Sequence, residues 1–121
     1  MGRPVVHFEL WSADPARVAS FYEKTFGWKI QELPGLDYRS VDTGAGTGIN
    51  GGIMTPKKGP WPAKLAFYVD VEDLAASVKA IRDAGGKIHV ERQDVPGVGA
   101  FALFEDPDGR VLGVWQRKSA P

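Results

Sequence analysis

The chain of 121 residues has no cysteine, which excludes disulfides, thiolate nucleophiles and thiolate metal sites together. Any metal would have to be held by His, Asp or Glu, and only two histidines are present. A charge of one sign is also missing. Fifteen Lys and Arg stand against fifteen Asp and Glu, and no local basic cluster interrupts that balance. The electrostatic footprint of a nucleic-acid or membrane-surface binder is therefore absent, and neither is expected as a partner. No apolar run approaches the roughly 18 residues that a membrane span needs. Met1-Gly2-Arg3-Pro4 leads straight into a strand without an apolar signal segment, so the expected location is the cytoplasm.

What is present is an ordinary domain's length with 43% hydrophobic residues, enough to bury a core without staples. The most informative stretch is Val5-Val6-His7-Phe8-Glu9-Leu10-Trp11. Side chains alternate across a strand, so Val6, Phe8 and Leu10 share one face while His7, Glu9 and Trp11 share the other. An imidazole, a carboxylate and an indole on one face are costly to bury unless a ligand, a metal or hydrogen-bonding partners meet them.

Along the chain, Asp14 can cap a helix that Pro15 starts. Val18, Phe21, Tyr22 and Thr25 or Phe26 recur at helical spacing, and Gly27 is placed to end it. Strand-like segments follow at 28–33, 37–42 and 49–54, the last after a glycine-rich turn at 44–48. That turn lacks a following Lys-Ser/Thr and opens no helix, so it is not a phosphate loop. A Pro-, Gly- and Lys-rich stretch, 55–62, sits near the midpoint. Beyond it come a strand at 64–69 and Asp70-Val71-Glu72-Asp73, read as a capping box. A helix carrying Leu74, Val78 and Ile81 follows and ends at Gly85-Gly86. Strands at 87–91, 99–105 and 111–117 are separated by the Pro96-Gly97 and Asp106-Pro107-Asp108-Gly109 turns.

Both halves thus read β-α-β-β-β, and an internal repeat of this length sets the fold class. Matching His7 to Lys64 gives an offset of 57, and matching Gly27 to Gly85 gives 58. The expectation is an α+β fold in which two βαβββ modules pair into a cup-shaped mixed sheet. The chain is read as a single domain, 1–121, with module 1 about 4–55, a linker 56–63 and module 2 about 64–118.

The order of these features resembles the vicinal oxygen chelate superfamily: glyoxalase I, bleomycin-resistance proteins and extradiol dioxygenases. The matching residues are the early strand with His7, Asp14-Pro15 leading to Phe21-Tyr22, the run Phe26-Gly27-Trp28-Lys29, and Asp106-Pro107-Asp108-Gly109 followed by Gly113-Val114-Trp115-Gln116. The resemblance implies four metal-ligand positions on the first and last strands of each half. Carried onto this chain they fall on His7, Gly52, Lys64 and Gly113. His7 is the one retained ligand-type residue, lysine is a poor divalent-metal ligand, and glycine offers no side chain. No cofactor is therefore expected, with a divalent metal held in an atypical shell as the alternative. The resemblance also implies a homodimer.

Applied to all inner strands, the alternation gathers Val6, Phe8, Leu10, Ile53, Leu65, Phe67, Val69, Leu112 and Val114 on a face suited to packing under helices. The opposite face collects the expected ligand-binding residues His7, Glu9, Trp11, Met54, Lys64, Tyr68 and Trp115, with Gly52 and Gly113 leaving room at the centre. His7 and Glu9 are the candidate catalytic residues. Bland readings stand beside these: His7 bonded only to Glu9 or a backbone carbonyl, aromatics that plug the cup or form a dimer contact, and His89 as a solvated edge-strand residue. The leading function is binding of a small aromatic or amphipathic molecule at a degenerate metal site. The alternatives are a glyoxalase I-like lyase/isomerase or related dioxygenase, and a non-catalytic interaction module.

Overall fold

A computed structural model describes residues 2–56 and 60–118. Of the expected linker, 57–59 lie outside the described residues. The elements run β1 (Val5–Trp11), α1 (Pro15–Phe26), β2 (Lys29–Leu33), β3 (Tyr38–Asp42), β4 (Asn50–Met54), β5 (Leu65–Asp70), α2 (Leu74–Asp83), β6 (Lys87–Val95), β7 (Gly99–Glu105) and β8 (Val111–Arg117). The chain is α+β, and the β-α-β-β-β order occurs twice. Contacts divide it into two compact units, His7–Leu65 and the residues on either side of that segment. No helix among the described residues is long and apolar enough to cross a membrane.

In the first unit the strands lie in the order β2-β3-β4-β1, with β1 parallel to β4 and the other pairs antiparallel. α1 begins where the sequence says it should. Asp14 Oδ1 accepts the Arg17 amide at 3.1 Å, and Gly27 ends the helix at φ 69°, a left-handed conformation that glycine adopts without a Cβ penalty. The helix buries Ala19 against Val41 and Ile53, with Phe8, Leu10, Val18, Trp28 and Ile30 closing around them. Phe21 and Phe26, expected on that stripe, are 57% and 63% exposed. The 3.6-residue turn carries them to its edges, where they meet Tyr22 and Trp28 instead of the sheet.

The second unit repeats the plan as β5-β8-β7-β6, with β5 parallel to β8. Its core is Val71, Leu74, Val78, Ala100, Ala102 and Val114, flanked by Val69, Ile81, Ile88 and Phe104. The cap of α2 is Asp73, whose carboxylate accepts the Ala76 amide at 3.0 Å. Asp70 is the last residue of β5, so the expected Asp70–Asp73 capping box does not form. A second free amide, that of Leu74, instead donates to Gln116 Oε1 at 2.7 Å. Leu65 and Phe67, expected under the helix, are 44% and 43% exposed, because α2 packs on β6, β7 and β8. β6 runs to Val95, four residues past the expected end, with irregular register against β7 between Ile88 and Gln93.

The registers also revise the repeat. Glu9 stands opposite Gly52 in one parallel pair and Tyr68 opposite Gly113 in the other. Glu9 to Tyr68 is an offset of 59, and so is Asp14 to Asp73, the two helix caps. By register the counterpart of His7 is Ala66, which is 1% exposed. Lys64 lies before β5 and is exposed.

Candidate functional site

α1 covers one face of the β2-β3-β4-β1 sheet, so alternation along β1 turns His7, Glu9 and Trp11 to the other. Glu9 is only 7% exposed and is the buried charged residue among those described. Its Oε1 accepts the Trp11 indole N–H at 2.8 Å, a contact available because i and i+2 share a strand face. His7 Nε2 lies 4.0 Å from Glu9 Oε2.

A residue not singled out in the sequence completes the group. Tyr38, on β3, brings its hydroxyl to 2.7 Å from His7 Nε2, and the same hydroxyl is hydrogen-bonded to the Glu9 carboxylate. β3 and β1 are separated by β4, two strand spacings or about 9–10 Å. The Tyr38 phenol lies over β4, where side chains from β1 reach its hydroxyl, because the intervening position is Gly52. A Cβ built there would fall inside the Tyr38 phenol. The sequence signal was therefore an aromatic residue placed diagonally to a glycine on the neighbouring strand, two residues from its register partner Met54, where the ring covers the backbone that glycine leaves open.

Burial and Glu9 together shape the protonation of this group. Burial holds the His7 imidazole below its ordinary value, and the negative Glu9 pulls weakly the other way. Burial, followed by the charge of Glu9 and the hydrogen bond to it, pushes the Tyr38 phenol far up. Tyr38 is thus a neutral hydroxyl that can donate one hydrogen bond while accepting another.

The second unit holds its aromatics in a similar way. Tyr68, 5% exposed, lies over Gly113, and Phe101 meets its ring edge-on at 5.9 Å. Trp115 stands over Gly99, where an added Cβ would come within 2.8 Å of the indole. The room expected from Gly52 and Gly113 is therefore filled by tyrosine rings. Met54 is half-buried opposite Trp11. The Lys64 side chain is exposed, and its carbonyl accepts the Trp11 amide at 2.9 Å.

Two concavities of the described surface lie away from His7 and Glu9. One, about 240 Å³, is lined by Leu74, Val78, Arg82, Glu91 and Arg92 among others. The other, about 590 Å³ and wide open, is lined by Pro60, Trp61, Ala63 and Lys64. His89 is exposed on the edge strand β6, as expected, and there pairs with Glu105 of β7 at 2.5 Å.

Residues 5–114 match the Glyoxalase/Bleomycin resistance protein/Dioxygenase superfamily, and the chain belongs to it. Among its relatives, CFP32 of Mycobacterium tuberculosis is 32% identical over 109 residues, covering 88% of this chain and 41% of that protein. The anthracycline biosynthesis protein DnrV of Streptomyces peucetius is 30% identical over 125 residues, covering 91% of this chain and 46% of that one. The chain thus spans less than half the length of these two relatives. In structure it is similar to a glyoxalase/bleomycin resistance protein/dioxygenase superfamily member from Vibrio splendidus 12B01. The TM-score is 0.66 at 18% identity, over 97% of this chain and 100% of that one.

Members of this superfamily often use a divalent metal. The donor set here does not fit one. Among the described residues no three His, Asp or Glu side chains converge. Gly52 and Gly113 lie beneath tyrosine rings, and neither Lys64 nor Ala66, the residues matched to His7 in the repeat, is a suitable metal donor.

Proposed function

We propose that this chain binds a small aromatic or amphipathic molecule without a metal, on the sheet face that carries His7, Glu9, Trp11 and Tyr38. The observation that carries the reading is the Glu9 carboxylate, buried and fixed by the Trp11 indole and the Tyr38 hydroxyl. Placed polar groups set among aromatic rings are the usual composition of a small-molecule site. Met54 and Lys64, of the same unit, are the further ligand-binding residues of this proposal. The name of the Streptomyces peucetius relative, an anthracycline biosynthesis protein, favours testing planar aromatic compounds first.

One observation favours an enzyme as the second reading. A buried carboxylate beside an imidazole is an arrangement suited to general-base chemistry, with Glu9 or His7 taking the proton in a lyase or isomerase reaction. A thermal-shift screen of aromatic metabolites, including an anthracycline, tests binding, since a ligand of the folded state raises its apparent stability. A hit whose shift disappears in Glu9→Gln and Trp11→Phe variants supports the site. Shifts that persist unchanged in both variants refute it. Turnover of the hit, followed by mass spectrometry, separates catalyst from binder.

A further inference from the structure

His7 Nε2 and Glu9 Oε2 are 4.0 Å apart. Two ligands of one zinc ion lie at most about 4.2 Å apart, and a tetrahedral angle draws them to about 3.4 Å. The pair therefore lies within a small side-chain adjustment of sharing a cation. The Tyr38 hydroxyl occupies that position. It is 2.7 Å from Nε2, is bonded to the Glu9 carboxylate, and reaches both only because position 52 carries no side chain.

We propose that Tyr38 is a built-in plug, its hydroxyl standing where a divalent cation shared by His7 and Glu9 would sit. The inference rests on the metal-free reading above and adds a cause to it: the site excludes metal by occupancy as well as by lacking ligands. Removing the ring would open the position. Placing a carboxylate at residue 52, opposite Glu9 in the β1–β4 register, would complete a three-ligand set of one His and two acids, the number of protein ligands in an open zinc site. Placing that carboxylate with Tyr38 still present is not expected to succeed, since the two side chains claim the same volume.

The test is Zn2+ and Ni2+ titration of the purified full chain by calorimetry, with metal content measured after dialysis. The wild type is expected to retain no stoichiometric metal. Tyr38→Phe, which vacates the hydroxyl position but adds no third ligand, is expected to bind Zn2+ more tightly than wild type yet to lose it on dialysis. Tyr38→Ala/Gly52→Glu is expected to retain one equivalent per chain and to lose it when His7→Ala is added. Circular dichroism checks that each variant is folded. Should the double variant fail to fold, Tyr38→Ala alone decides: Zn2+ affinity above that of wild type supports the plug, and unchanged affinity overturns it. A folded double variant without metal also overturns it. One tightly held, His7-dependent metal in the wild type would sink the metal-free reading itself, whatever the variants do.

Discussion

The Tyr38 hydroxyl and His7 Nε2 meet at 2.7 Å across a strand that lies between them, because the residue they pass over, Gly52, has no side chain to obstruct the ring. That relationship makes Gly52 a packing residue. A methyl group added by Gly52→Ala must displace the phenol from both His7 and Glu9, and overpacking of this kind costs about 1–3 kcal/mol. Urea denaturation is expected to show that loss. It is also expected to show a double-mutant cycle well short of additive when Tyr38→Ala is combined with Gly52→Ala, since Tyr38→Ala removes the ring that the added methyl collides with. Additive losses would place the two residues in separate environments.

Stability is expected to depend on pH through His7. Its folded-state value is held below the ordinary imidazole value of 6.5, chiefly by burial. Between that lowered value and 6.5 the unfolded chain binds a proton that the folded chain refuses, so folding stability rises with pH across the interval. Above it the contribution is flat, and below it the penalty of protonating a buried imidazole is fully present. Denaturation midpoints measured from about pH 5 to pH 7.5 should climb in the wild type and climb less in His7→Gln. Equal slopes in the two proteins would remove His7 as the source.

The elements were largely legible because their signals are local. Asp14-Pro15 and Gly27 carry the start and stop of α1 in their own side chains and backbone freedom, and both act as read. The repeat was legible as a pattern, but not to the residue. Aligning His7 with Lys64 gave 57, whereas the strand registers and the caps Asp14 and Asp73 give 59. The alternation reading named His7, Glu9 and Trp11 as sharing a face, and the indole–carboxylate bond joins two of them. Tyr38 escaped it because its part depends on a glycine 14 residues later on the neighbouring strand, and single-strand periodicity carries no information about which residues face each other between strands. For the same reason Gly52 and Gly113 looked like open space when each lies under a ring.

The identity of the α2 cap is a second case where neighbours in sequence mislead. Asp70 and Asp73 are both acids ahead of the helix, but the Asp73 carboxylate is the one that accepts the Ala76 amide. Asp73→Ala is expected to lower stability by about 1 kcal/mol. Asp70→Ala should cost less, because the Asp70 side chain makes only a loose 3.9 Å approach to an exposed Arg117. Thermal melts of the two variants check the order, and a larger loss at Asp70 would reassign the cap.

Trp11 offers the sharpest probe of Glu9. The indole N–H is 2.8 Å from Glu9 Oε1, and the group lies in a buried setting where both residues are 7% exposed. Trp11→Phe keeps most of the apolar contact but takes away the donor, leaving one carboxylate oxygen to find another partner. Losing one side of a hydrogen bond to a buried acid costs about 1–3 kcal/mol. If the bond holds as described, Glu9→Gln in the Trp11→Phe background should cost less than Glu9→Gln alone, because the amide has no indole bond left to weaken. Chemical denaturation of the four proteins measures the coupling directly. A coupling energy indistinguishable from zero would mean that Trp11 contributes only its ring, and the polar framework of the site would then rest on Tyr38 and His7.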